Sequence, residues 1–578
     1  PFDMESPLGD FSIICFPAAP TLKKNPEQIA KELVPDLEIL DYVQEASAEK
    51  GYCNVSLKWD EFASELVKEI QKESYAKIGR NKERILVEHT SANATGPFHM
   101  GRARNPIIGD SIGRLLNYSG YKVKTEYYVN DTGRQAATLA YGLENFEPAE
   151  EIKEDHKLVH CYRLASDKLK NDEETRDEIY NDMELIEKGD KKTLAKVKNA
   201  ARQMMKGMKV SLRRLNAEAD SYFYESDLIE SGNVDGVIEK LKESKLCNDE
   251  DGAFFLDLKD EGVAGRNQKF FFTRQNGLSL YTTRDIAYHL DKFQRCDTAI
   301  NILGEDHKLQ GKLLGIALRE LESKEPKNLF YSFVNLPGGK MSTRAGRVVY
   351  LDDIMQKIVD LSYQKLDSDF NEGENWKADT STTKKKELAE LIGIGSLRYN
   401  ILKVQPEKGF TFNINDALNL QGDSAPFAMY AHARASSIIE KYTNEITLPK
   451  LIGKLETSEI ELLRTLAKWP KIVEETSDNL NIHKIPNYVH KIASDFNQFY
   501  RDCPVINDKN QNFRINLVLC SQKVLDDGFE YILDTEAGLR AGRDRVARVE
   551  TNHFLDLLAH AFYIGAWQID LVDDREDF

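Results

Sequence analysis

The spacing of apolar residues along this chain changes several times, and each change marks an element. A β-like run from Arg84 to Val87 gives way to a polar loop broken by Gly and Pro. Beyond it Ile107, Ile108, Ile112, Leu115 and Leu116 recur at three- to four-residue spacing, which predicts an amphipathic helix. A second β-like run, Val123 to Val129, follows. Strand, loop, helix and strand make a βαβ unit whose first loop opens at a helix N-terminus, where phosphates bind. A second half follows downstream. A β-like run from Thr298 to Leu303 ends at Gly304-Glu305-Asp306-His307, a helix runs to about Glu322, and an apolar run covers Leu329 to Leu336. The expectation is an α/β fold with a Rossmann-type nucleotide-binding domain.

Other patterns flank and interrupt that domain. Residues 1 to about 80 alternate helical stretches with β-like runs, Phe11 to Phe16 and Tyr52 to Leu57, and predict an N-terminal α+β domain. Between about 145 and 215 the chain is dense in Glu, Asp and Lys and poor in Gly and Pro, a composition of long solvated helices. A polar stretch around Asp367 to Lys386 reads as a linker, placed at 363–385. From 386 to 578 heptad-like apolar repeats predict an all-α bundle. The Rossmann-type domain is thus expected at 81–362.

Composition narrows the classes. At 578 residues the chain exceeds one core and should hold several domains. With 41% hydrophobic and 30% charged residues it reads as soluble and globular, no apolar run approaches membrane-spanning length, and no secretory signal is evident. Seven scattered cysteines, never in C-x-x-C spacing, fit buried free thiols better than a disulfide framework or a zinc site. The net charge of −17 argues against unspecific coating of nucleic acid, although local basic stripes and stacking could still hold a structured RNA.

Two segments carry candidate chemistry. His99 and Gly101 sit where the first helix should begin; the histidine can donate to phosphate oxygens, and the glycine lets a nucleotide approach the backbone. Alone, a His-x-Gly at a turn is more often a solvated turn. Far downstream, Gly338-Gly339-Lys340-Met341-Ser342-Thr343-Arg344-Ala345-Gly346 sets two cations and two hydroxyls between glycines, which suits a polyphosphate. Alone it reads equally well as a basic surface turn.

Together the segments resemble the two signatures of class I aminoacyl-tRNA synthetases: His99-Met100-Gly101-Arg102 for His-Ile-Gly-His, and Lys340-Met341-Ser342-Thr343-Arg344 for Lys-Met-Ser-Lys-Ser. The surrounding residues are similar to arginyl-tRNA synthetases in particular. They include Ser91-Ala92-Asn93, Val129-Asn130-Asp131-Thr132-Gly133-Arg134-Gln135, the Tyr-x-Thr-Arg-Asp-Ile-Ala run from Tyr281 to Ala287, and the Met-Ser-Thr-Arg-x-Gly form of the second motif. The resemblance implies a ligase that activates L-arginine with ATP and charges tRNA(Arg), with an N-terminal tRNA-elbow domain and a C-terminal anticodon-binding bundle. Mg²⁺ would arrive with the nucleotide, no protein-bound zinc is expected, and a cytoplasmic monomer without membrane attachment is implied.

Site residues follow from chemistry and resemblance together. His99 and Lys340 would stabilise charge developing on the α-phosphate, helped by Arg102 and Arg344. Gly96, Pro97, Gly101, His307, Met341 and Ser342 complete the expected ATP site. A guanidinium needs a planar acid partner. Glu88 and Asp285 are the candidates, and if the segment from Tyr281 is helical, Tyr281 and Asp285 share a face. The resemblance adds Ser91, Asn93 and Gln310. For Glu88 a strand-end salt bridge, and for His307 a helix-capping role, are the plain alternatives. Tyr430, Arg434, Tyr488 and Trp567 are candidates for stacking on or binding tRNA.

Two signature positions depart from the pattern. Arg102 replaces the second histidine of the first motif, and Thr343 the second lysine of the other; a compensating lysine found in some relatives would fall at Gly96. These departures keep two other readings open: a non-catalytic paralogue that binds tRNA, and a synthetase-like ligase for a free small molecule.

Overall fold

The computed structural model describes residues 2–3, 8–79, 83–263, 268–337, 349–371 and 382–532. An N-terminal antiparallel sheet comes first, formed by β1 (Phe2–Asp3), β2 (Phe11–Ile14), β3 (Val43–Glu49) and β4 (Tyr52–Leu57) in the order β1-β2-β4-β3. The helix Pro26–Glu38 buries Ile29 and Ala30 against it. Strand β3, whose one large apolar residue is Val43, gave no alternation that sequence reading could find.

The central sheet is parallel throughout. It contains β5 (Arg84–Glu88), β6 (Lys122–Val129) and β7 (Ser221–Tyr224). A separate antiparallel sheet of β8 (Cys247–Glu250), β9 (Ala253–Asp257) and β10 (Lys269–Phe271) intervenes before the central strands β11 (Thr298–Gly304) and β12 (Lys327–Tyr331). The central order is β12-β11-β5-β6-β7. Ile85, Leu86 and Val87 are all buried, as a strand covered on both faces requires. From β5 the chain crosses to β6 through the helix Arg104–Tyr118, and from β11 it crosses away from β5, through the helix Lys308–Glu320, to β12. Neighbouring strands whose connections diverge leave a crevice at their carboxyl ends. The site lies there.

Between β6 and β7 the charged stretch folds as helices Glu154–Asn171, Glu173–Glu187 and Lys191–Arg214. The segment expected to be a linker, 363–385, is helical at both ends. Leu351–Asn371 and Thr382–Leu402 are helices, and residues 372–381 lie outside the described set. Its polar composition concealed helical periodicity. Helices Ala425–Lys441, Thr457–Asn479, Lys484–Asp502 and Gln511–Ile532 form the C-terminal bundle. No helix among the described residues is long and apolar enough to cross a membrane. Six of the seven cysteines are buried and Cys247 is partly exposed; all are free.

Two buried arginines pin the first crossover helix to the C-terminal part. Arg104 is fully buried and donates to the carbonyls of Ser332, Val404, Gln405, Pro406 and Lys408 at 2.7 to 2.9 Å. Burial pulls its guanidinium down to about 10. Arg398 reaches back to Asp110 at 2.7 Å and to the carbonyls of Leu215 and Asn216. Arg104→Met removes all five guanidinium hydrogen bonds, four of them to the 404–408 turn, and is expected to cost about 3–5 kcal/mol, read as a lowered denaturation midpoint at unchanged slope.

Candidate active site

Beyond Glu88, the last residue of β5, the chain turns through two left-handed residues, Thr90 (φ 70°) and Ser91 (φ 37°). A β-branched residue in that region is strained, so the surroundings must hold it. Asn105 does so. Its Oδ1 accepts from the Thr90 backbone N–H at 2.6 Å, and its Nδ2 donates to the Ile302 carbonyl at 2.9 Å, tying the turn to β11. Ser91 Oγ donates to Glu88 Oε1 at 2.8 Å and accepts from the backbone N–H of Tyr128 at 3.1 Å. A Cβ on Gly109 would lie 2.2 Å from that of His89, so only glycine lets the crossover helix start this close beneath the strand end.

The turn borders a cavity of about 310 Å³ in the crevice between β5 and β11. Glu88, Ser91, Asn93 and Arg102 line it from the β5 side, and His307 and Gln310 from the β11 side. The helix Tyr281–Arg295 contributes Tyr281 and Asp285, four residues apart on one face as the helical reading required. Every residue assigned to an amino-acid pocket is therefore in one place. Tyr128, Asn130, Glu225 and Phe333 line it as well and were missed. Asn130 lay within a quoted motif without a role, whereas Glu225 comes from a region with no motif.

The cavity's acids differ in their partners. Glu88 is bonded to the fully buried Lys292, so the strand-end salt bridge exists, yet the carboxylate still borders the cavity. Glu225 is paired with Arg284 and accepts from Thr132 Oγ1 at 2.7 Å. Asp285 is faced by His289 Nδ1 at 3.2 Å. Burial would raise the Asp285 carboxyl, but the hydrogen bond from His289, with Lys292 nearby, outweighs it and holds it below the usual range. An anionic, half-buried carboxylate suits a cationic ligand. His307 is exposed and meets Gln310 Oε1 through Nδ1 at 3.2 Å; it makes no side-chain cap to the following helix, which removes the capping alternative.

A second cavity of about 830 Å³ shares Asn93 and Arg102 with the first and is lined by Gly96, Pro97 and His99. Gly101 is buried within the turn Met100–Arg102. Tyr162 and Arg163 of the charged insertion and Tyr350 close its far side. Burial, then the charge of Arg102, depress the His99 imidazole to about 4, and its Nδ1 has no hydrogen-bond partner among the described residues. It is therefore a neutral N–H donor at pH 7. Lys340, Met341, Ser342 and Arg344 lie outside the described residues. The chain beyond them is bonded to the first motif, Met100 N–H to the Val349 carbonyl at 3.0 Å and Leu351 N–H to that of Phe98 at 2.8 Å. The Arg102 side chain, exposed where the two cavities meet, makes no hydrogen bond or ion pair among the described residues.

Residues 64–414 match the family described as tRNA synthetases class I (R), catalytic domain. Residues 428–537 match the DALR anticodon binding domain, and residues 4–57 the arginyl tRNA synthetase N terminal domain. The arginine–tRNA ligase of Methanocella arvoryzae is 39% identical over 90% of this chain and 92% of its own. The chain belongs to the arginyl-tRNA synthetase family. The Methanocaldococcus jannaschii arginine–tRNA ligase is 37% identical, covering 91% of this chain and 93% of its own. The Thermus thermophilus arginyl-tRNA synthetase structure superposes with a TM-score of 0.79 at 25% identity, covering 91% and 94% of the two chains.

Arginyl-tRNA synthetase residues expected to meet tRNA fare unevenly. Arg434 lies 4.6 Å from the ring centroids of both Tyr430 and Tyr500, and donates to Tyr430 Oη at 2.9 Å and Asn497 Oδ1 at 2.6 Å. Tyr430 is half-buried. Tyr488 is corrected: its ring stacks on the buried Trp469 and its hydroxyl donates to the Thr465 carbonyl, so it is a packing residue. Its helical spacing could not distinguish inward from outward. Trp567 lies outside the described residues.

Proposed function

We propose that this chain activates L-arginine with ATP to arginyl-adenylate and transfers the arginyl group to tRNA(Arg), releasing pyrophosphate and then AMP. The observation that carries this reading is the gathering of Glu88, Ser91, Asn93, Tyr281, Asp285 and Gln310 around one cavity. The guanidinium pairs with Asp285, with Glu88 and Tyr281 lining its place, and Asn93 holds the amino or carboxylate end. The substrate carboxylate attacks the α-phosphorus and pyrophosphate leaves; no protein nucleophile is needed, only alignment and charge stabilisation. His99 and Arg102, with Lys340 and Arg344, supply that stabilisation. Gly96, Pro97, Gly101, Met341, Ser342 and His307 shape the ATP site. A hydroxyl of the terminal ribose of tRNA then attacks the arginyl carbonyl and AMP departs. Mg²⁺ is carried by the phosphates, because Glu88 and Glu225 are already committed to Lys292 and Arg284.

Residues 1–80 contact the tRNA elbow, the domain built on the parallel sheet, with its insertion at 145–215, catalyses, and the C-terminal helical bundle reads the anticodon. The enzyme works as a cytoplasmic monomer. Arg434, held between two tyrosines, is the cation this reading places against tRNA, so Arg434→Ala is expected to raise the KM for tRNA about tenfold while the KM for arginine stays within about twofold. The reading itself is tested by arginine-dependent ATP–pyrophosphate exchange, with and without tRNA, beside charging of total tRNA with each amino acid. Charging with arginine alone supports it; tRNA binding with neither exchange nor charging overturns it.

A further inference from the structure

The helix Tyr281–Arg295 does more than present Tyr281 and Asp285. Its next turns place His289 and Lys292 beneath the cavity floor, and both are almost wholly buried. Lys292 Nζ bonds to Glu88 at the end of β5 and to Asn301 Oδ1 of β11 at 2.8 Å. Asn301 Nδ2 donates to His289 Nε2 at 2.9 Å, and Lys292 Nζ also approaches that nitrogen, at 3.3 Å. With donors on Nε2, the ring proton lies on Nδ1, which meets the Asp285 main-chain carbonyl at 2.8 Å and its carboxylate at 3.2 Å. A partner count follows. Glu88 and Glu225 each have a buried cation, Lys292 and Arg284, while Asp285 has only an imidazole N–H. Asp306, at the exposed rim, lies 3.9 Å from His307. Of the inner cavity's acids, Asp285 alone therefore lacks a cationic partner, matching one guanidinium, while the unpaired Arg102 lies where this cavity meets the second.

We propose that Lys292 is a positioning residue for arginine selection: it neutralises and orients Glu88 so that Asp285 alone meets the substrate's charge. Stability does not account for it, because a buried ion pair of this kind is often replaceable by apolar packing without loss. The inference rests on the arginine-pocket reading above. Without Lys292, Glu88 would be faced by His89 on its own turn, Tyr128 of β6 and Tyr288 of the helix, with Ser91 and the uncharged Asn301 as its polar neighbours, while Asp285 lies on the far side of Tyr128. With the cation gone, burial and the remaining neutral neighbours favour the protonated form of a carboxyl at that place.

The test measures the arginine KM and kcat of the full chain in tRNA charging from pH 6.5 to 8.5. In Lys292→Met the arginine KM is expected to fall at least about tenfold as pH rises and Glu88 ionises, with kcat at saturating arginine within about threefold of wild type. Lys292→Arg restores the wild-type profile. Glu88→Gln, which leaves Lys292 unpaired beside a cationic substrate, is expected to raise the KM more than Glu88→Gln with Lys292→Met, which has neither charge and no pH dependence. A purely structural lysine predicts the opposite: a folded Lys292→Met with a flat KM within about twofold of wild type, or, where that variant does not fold, a double variant no better than Glu88→Gln. Either result overturns the proposal. Asp285→Asn separates the two levels. If it leaves arginine binding intact, the pocket reading fails; if it abolishes binding while the Lys292 variants behave as wild type, only the present inference fails.

Discussion

Asp285→Asn is expected to weaken arginine binding by about 30- to 1000-fold while the KM for ATP stays within about threefold. The size follows from the partner count. Glu88 is already satisfied by Lys292 and Ser91, and Glu225 by Arg284 and Thr132. Removing the Asp285 charge leaves the guanidinium without an unpaired counter-charge in a partly dehydrated site, which costs roughly 2–4 kcal/mol. An amide is nearly isosteric, and its oxygen can still accept from His289, so the helix should keep its place. Isothermal titration of arginine is the direct measurement, and unchanged arginine affinity would remove Asp285 from the pocket. The same argument explains discrimination. An amino acid lacking the guanidinium leaves Asp285 buried without its partner and is rejected by a similar factor, so no separate hydrolytic site is required.

The parts of this site that could be read from sequence are those set by local spacing. Tyr281 and Asp285 lie four apart, which a helix sets on one face, and Glu88 closes a strand marked by Ile85 to Val87. The crevice followed from two βα units, because divergent connections from adjacent parallel strands open one. What stayed hidden depended on distant partners. Lys292 and Glu88 are far apart in sequence, and nothing in either neighbourhood announces their bond. Glu225 gains meaning only through Arg284 and Thr132. The small sheet β8-β9-β10 was lost among charged residues such as Asp249 and Glu250, whose exposure on an edge strand erases alternation. Tyr488 shows the converse error, since an aromatic at helical spacing reads alike whether it packs on Trp469 or faces solvent.

His99→Ala is expected to lower kcat for arginine-dependent ATP–pyrophosphate exchange by about 10²–10³-fold, with little change in the arginine KM. His99 borders the cavity that holds the first motif and not the one that holds Asp285, so its loss should fall on phosphate stabilisation. The pH profile separates two ways it could act. Burial and the neighbouring Arg102 hold the imidazole at about 4. A bound polyphosphate favours the protonated ring and raises that value, but even a rise of about two pH units leaves the ring mostly neutral at pH 7.5. His99 then acts as an N–H donor, and charge is left to Arg102 and the cations of the second motif. The KM for ATP should accordingly stay flat between pH 7 and 8.5. An imidazolium would instead lose its proton across that window, and ATP binding would weaken steadily as pH rises. A wild-type profile of that kind, absent from His99→Ala, would give His99 a cationic role and contradict what its burial and the neighbouring Arg102 impose.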